Sequence, residues 1–133
     1  MIETLDLKHT YSYIEGLEVS ETDGGYSLSS CINYENRFDK PFQMDAVEFD
    51  VVPDTERNVA YGLHIYLVKE TQKMEYRLFR RIADEDGYNY DYIESTKNLR
   101  LMKNILSVSV SPNGERIAKF FNHTKKEVES NET

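Results

Sequence analysis

One cysteine, three prolines, six glycines and no tryptophan occur in 133 residues. The single cysteine, Cys31, excludes an intrachain disulfide framework and points to a reducing compartment. No apolar run approaches the ~18–20 residues of a membrane-spanning helix. The segment Met1–Asp6 has neither a basic start nor an apolar stretch, so it does not read as a secretory signal. Lacking runs of proline or glycine and internal repeats, the chain offers no linker at which to divide it. The expectation is therefore one soluble cytoplasmic domain over 1–124, with a polar, flexible tail over 125–133.

Basic charge is also scarce: 16 Lys and Arg stand against 24 Asp and Glu, a net charge of −8. Residues 1–60 hold 13 acidic and 4 basic residues, and residues 61–133 hold 11 and 12. Within the second part, Lys97, Arg100, Lys103, Arg116, Lys119, Lys125 and Lys126 form a basic run interrupted only by Glu115. An acidic chain repels nucleic acid and anionic lipid, so neither is expected as a direct partner. Val, Ile, Leu and Phe make up 33 of 133 residues, enough for a modest core.

What the chain does contain is period-2 alternation, the signature of half-buried strands. Tyr26, Leu28, Ser30, Ile32 and Tyr34 share one face of a strand preceded by Thr22-Asp23-Gly24-Gly25, a hairpin turn back to Ile14–Glu21. Val47, Phe49 and Val51 point inward from a strand over Ala46–Val52, with Glu48 and Asp50 outward. Three consecutive strands follow over Val59–Val68, Met74–Ile82 and Tyr88–Ile93, joined by Glu70–Lys73 and Asp84–Gly87. Tyr61, Leu63, Ile65 and Leu67 form the inward face of the first of these. Residues 95–106 and 115–128 suit helix and strand about equally, with Pro112-Asn113-Gly114 as a hairpin turn between them. The stretch Val108–Ala118 is similar to one hairpin of a β-propeller blade, but 133 residues cannot hold four blades. The expected fold is a mainly β, single-domain antiparallel sandwich or barrel of about seven to eight strands, with at most one or two short helices. An α+β fold with a C-terminal helix is the alternative.

No motif for catalysis, metal binding or phosphate binding stands out, so no enzyme, cofactor or metal is expected. His9, His64 and His123 are not spaced with other ligands as in a zinc site. Asp84-Glu85-Asp86 lacks the later ligands of a calcium loop and sits between strands rather than helices. Cys31, in mid-strand, fits a buried, inert thiol. Ten tyrosines are more informative. Tyr88, Tyr90 and Tyr92 alternate among Asp84, Glu85, Asp86, Asp91 and Glu94. Stiff amphipathic rings ringed by carboxylates suit a protein partner with a basic surface better than a phosphate backbone. Arg77 and Arg81, with Phe79 between them, are the alternative: two guanidinium groups on one strand face that could fork an anionic metabolite or nucleotide.

Three functions follow in order. The first is a small acidic inhibitor or adaptor that occludes a basic surface of a macromolecular partner, by imitating nucleic-acid charge in its strongest form. The second is a β-domain holding a small anionic ligand. The third is an assembly subunit that pairs through sheet edges, as in a homo-oligomer.

Overall fold

Tyr61, Leu63, Ile65 and Leu67 are buried along Val59–Val68, while Ala60, Gly62, His64, Tyr66 and Val68 alternate with them on the other, half-buried face. This strand lies within a computed structural model that describes residues 2–84, 87–90 and 98–127, with the backbone alone described for 83, 84 and 87–90. Twelve strands lie among the described residues: β1 (Ile2–His9), β2 (Tyr13–Glu15), β3 (Val19–Glu21), β4 (Gly25–Leu28), β5 (Cys31–Tyr34), β6 (Phe42–Met44), β7 (Val47–Asp50), β8 (Val59–Val68), β9 (Lys73–Asp84), β10 (Gly87–Tyr90), β11 (Leu99–Val110) and β12 (Arg116–Lys125). The mainly β expectation holds, and the strand count of seven to eight is too low. Among the described residues there is no helix. Of the two ambiguous segments, 99–106 lies in β11 and 116–125 in β12, while 95–97 and 128 fall outside the described residues; the C-terminal helix of the α+β alternative is replaced by β12.

The strands form three sheets, with orders β1-β12-β11-β8-β9-β10, β2-β5-β6 and β3-β4-β7. The large sheet ends at β1 on one side and β10 on the other, so it does not close into a barrel. The end of it that carries β10 is the expected meander: β8 pairs antiparallel with β9, and β9 with β10, while 91–93 of the expected third strand lie outside the described residues. The turn at Glu70–Lys73 is closed by Gln72 N donating to Val68 O at 2.7 Å. The β11–β12 hairpin turns at Pro112-Asn113-Gly114, where Gly114 takes a φ of 89° that glycine reaches at no steric cost.

Two departures have clear physical causes. Tyr26–Tyr34 is not one strand. The Ser29 hydroxyl accepts from Glu18 N and donates to Gly16 O, both at 2.8 Å, while Ser29 N still donates to Glu18 O at 2.9 Å, so the ladder ends here with the side chain taking the Glu18 donor. The chain passes from one small sheet to the other, and the phase flips. Tyr26 and Leu28 are buried before the break, Cys31 and Asn33 after it, and Ser30 is exposed. The second departure is β1, which runs parallel to β12 from Ile2 opposite Ala118 to His9 opposite Lys125. All other pairings described are antiparallel.

One apolar cluster unites the three sheets. Leu63, Ile65, Ile105, Leu106, Val108 and Phe120 of the large sheet meet Ile14, Tyr26, Leu28, Cys31 and Met44 of the small ones. The connection from β7 to β8 is held down where the Tyr61 hydroxyl meets Val52 and where Asp54 Oδ2 accepts from Glu56 N and Arg57 N, at 3.1 and 3.0 Å. Those backbone donors lower the Asp54 pKa.

Candidate functional site

Lys103 belongs to the inward phase of β11, between Met102 and Ile105, and only 4% of its surface is exposed. A buried ammonium must be paired and hydrogen-bonded. Its Nζ donates to Asn33 Oδ1 at 2.6 Å, to Tyr34 O at 3.1 Å and to Glu35 Oε1. Cys31, Asn33 and Glu35 alternate along β5 and just beyond it, so all three face the core. Ser12 Oγ donates to the other Glu35 oxygen at 3.1 Å. Asn33 Nδ2 is buried and has no partner. Desolvation lowers the Lys103 pKa, against the bond and charge of Glu35. Cys31 Sγ lies 3.5 Å from the Tyr76 hydroxyl, and burial raises the pKa of both groups.

A second cation of the basic run is also spent internally. Arg116 donates to Thr22 O at 2.9 Å, Gly25 O at 3.2 Å and Asp23 O at 2.6 Å, and to Glu21 Oε1 at 3.3 Å. Its guanidinium lies 5.6 Å from the centre of the buried Tyr26 ring. The result ties β12 to the β3–β4 turn beside an open polar depression lined by Glu21, Asp23, Asn58, Ser111 and Arg116.

His123 is buried on β12, and its Nε2 is 2.7 Å from Asn104 O. A carbonyl only accepts, so Nε2 carries the proton and Nδ1 accepts from His9 Nε2 at 3.1 Å. The outward face of β8 and β9 gathers His64, Tyr66 and Phe79 with ring centres 5.6–6.1 Å apart. Gly62 leaves room for the His64 ring, since a Cβ there would stand 2.8 Å from Nε2. Arg77 lies opposite His64 and Arg81 opposite Ala60, so both arginines share this face with Phe79. Arg77 also pairs with Glu75 at 2.8 Å.

The tyrosine and acid patch falls mostly outside the described residues. Glu85, Asp86, Asp91, Tyr92 and Glu94 lie there, as do the side chains of Asp84, Tyr88 and Tyr90. The backbone puts Tyr88 opposite Ala83 and Tyr90 opposite Arg81, on the edge strand β10. Among the described residues no group of three or more His, Cys, Asp or Glu could hold a metal ion. No helix there is long and apolar enough to cross a membrane.

A family model described as Gp22 matches residues 2–132. The chain belongs to the Gp22 family. Its structure is similar to that of the gene 22 product of the Bacillus subtilis SPP1 phage, with a TM-score of 0.79 and 28% identity over 96% of this chain and 100% of that one. No curated protein matches.

In this Gp22-family chain the polar cluster around Lys103 was hidden from sequence reasoning by the basic run that contains it. A signal was available: Lys103 stands two residues before Ile105 in a segment of strong apolar alternation, so one β register turns it inward. The same run cannot form a uniform basic face, because Lys103 is buried and Arg116 is enclosed by backbone carbonyls.

Proposed function

We propose that this Gp22-family chain is a non-enzymatic phage binding protein, an adaptor or assembly component whose acidic half engages a basic surface of a macromolecular partner. The observation that carries the reading is the fate of the charges. Of the 13 carboxylates in residues 1–60, Glu35 is buried and Asp54 half-buried, and the other eleven are exposed. Lys103 and Arg116, which reach into that half, are held by Glu35 and Glu21. An excess of exposed carboxylates over the four basic residues of that half steers a basic partner and speeds its encounter. A blocking protein that imitates nucleic-acid charge is the sharper form of the same reading. The segment Asp84–Glu94 would add tyrosine contact area at the β10 edge, and the edge strands β1 and β10 give an assembly role a place to pair.

The test is capture of the partner from infected cells with the tagged chain. Binding should hold at about 0.05 M salt and fade by about 0.5 M, where the screening length drops to a few ångströms. Glu48→Lys with Asp50→Lys, and separately Asp84→Lys with Asp86→Lys, should slow association. Tyr90→Ala should instead speed dissociation. A partner whose affinity ignores salt and both charge reversals would end this reading. The second reading, a small anionic ligand at Arg77 and Arg81, is favoured by their shared face with His64 and Phe79. It predicts a thermal shift with nucleotides or inorganic phosphate that Arg77→Ala abolishes.

A further inference from the structure

We propose that Lys103 and Asn33 join in a self-generated isopeptide bond, with Glu35 as the proton carrier, so that a covalent amide links β11 to β5. Three observations converge. The Lys103 amine lies 2.6 Å from Asn33 Oδ1, and the amide carbon sits one carbonyl bond, about 1.23 Å, behind that oxygen. Glu35 is bonded to the same amine and held by Ser12 through its other oxygen. Asn33 is fully buried, yet its Nδ2 has no partner. In a purely structural cluster an amide nitrogen left unsatisfied is a standing cost. As a leaving group it needs no partner, and its departure removes the cost.

The chemistry balances within the site. The ammonium passes one proton to Glu35 along the existing hydrogen bond, a transfer that burial favours because it removes two charges from a low-dielectric interior. The neutral amine then attacks Asn33 Cγ. The electron pair moves onto Oδ1 and returns as the Cγ–Nδ2 bond breaks. Of the three protons on the original ammonium, one stays on the new amide nitrogen and one leaves with Nδ2 as ammonia. The third remains on Glu35 or departs with the ammonia as ammonium. No oxidant, metal or cofactor is consumed. Exclusion of water by the surrounding core keeps the new amide from hydrolysis.

The experiment is intact-mass spectrometry of the folded full chain, followed by peptide mapping. The expected mass is lower than the sequence mass by one ammonia, about 17 Da. Digestion should yield a branched peptide joining residues 33 and 103. Lys103→Arg and Glu35→Gln should restore the full sequence mass. Because Glu35→Gln leaves a buried charge unpaired and can fail to fold, Asn33→Ala serves as a second variant, also expected at full mass. A folded wild-type chain that keeps its full mass after prolonged incubation overturns the proposal. So does an ammonia loss that persists in Lys103→Arg and maps to Asn113-Gly114, where a succinimide would have the same mass.

Discussion

The Tyr61 hydroxyl grips both ends of one residue: it accepts from Val52 N at 2.9 Å and donates to Val52 O at 3.2 Å. It also accepts from Arg80 Nε at 3.1 Å. One side chain of the central strand thus fixes the exit of β7, the start of the connection to β8 and a neighbour on β9. Tyr61→Phe keeps the ring and removes all three bonds. A loss of about 1 kcal/mol is expected, since water can reach the exposed Val52 in their place. Urea unfolding measures it, and an unchanged midpoint would show that the bonds contribute nothing net.

The register of the core gives a sharper contrast. Ile65 is completely buried, and Glu48 stands in the exposed phase of β7. Ile65→Ala should cost about 2–5 kcal/mol through lost contacts and an unfilled cavity. Glu48→Ala should change stability by about 0.5 kcal/mol or less. Equal sensitivity at the two positions, read from the same denaturation curves, would contradict the packing.

Gly24, in the β3–β4 turn, and its neighbour Gly25, the first residue of β4, should respond differently. A Cβ at Gly25 would lie 1.9 Å from the Phe49 carbonyl oxygen, which is backbone and cannot turn aside. At Gly24 the nearest atom is a side-chain oxygen of Asp50 at 3.2 Å, which can. Gly25→Ala should therefore cost about 1–3 kcal/mol or more by forcing β4 and β7 apart. Gly24→Ala should cost clearly less. Thermal unfolding of the two single variants decides the order.

Acid should destabilise the fold before the carboxylates titrate. Burial holds His123 below its ordinary pKa, with His9 and Lys103 acting in the same direction and the Asn104 bond and Glu35 opposing. His64 is also held down, first by burial. The unfolded chain takes up these protons near pH ~6.5 while the folded one resists them. Stability from this source is complete above about pH 6.5 and is lost as pH falls through the depressed native values. Unfolding free energy measured from about pH 7.5 to 5.5 should decline, and His123→Gln should flatten part of the decline.

What could be read from the sequence depended on whether neighbours in the chain are neighbours in space. Val59–Val68 and Lys73–Asp84 alternate and turn at Glu70–Lys73, so both strands and their pairing were visible. The hairpin at Pro112-Asn113-Gly114 was visible for the same reason. The alternation of Tyr26–Tyr34 misled, because the Ser29 hydroxyl takes the Glu18 N donor and a strand's phase carries no mark of such a break. The cluster of Lys103, Asn33 and Glu35 joins positions some 70 residues apart, and no local pattern links them. Arg116 likewise reads as one more basic residue until its carbonyl partners in the β3–β4 turn are known.

Strand β1 was unreadable in the same way, and its placement bears on how the chain comes together. Its partner β12 lies 116 residues further on where Asp6 meets Asn122, and the pairing is parallel, so no tight turn can template it. During synthesis β1 is made among the first elements and its docking site among the last. Until β12 has formed its hairpin with β11, Leu5 and Leu7 have no strand to lie against. Closing so long a loop is slow, and a strand left waiting is open to pairing with another nascent chain. Asp6 and Lys8, which alternate with those leucines, and Glu3, on the same face as them, give the waiting strand charges that discourage such encounters.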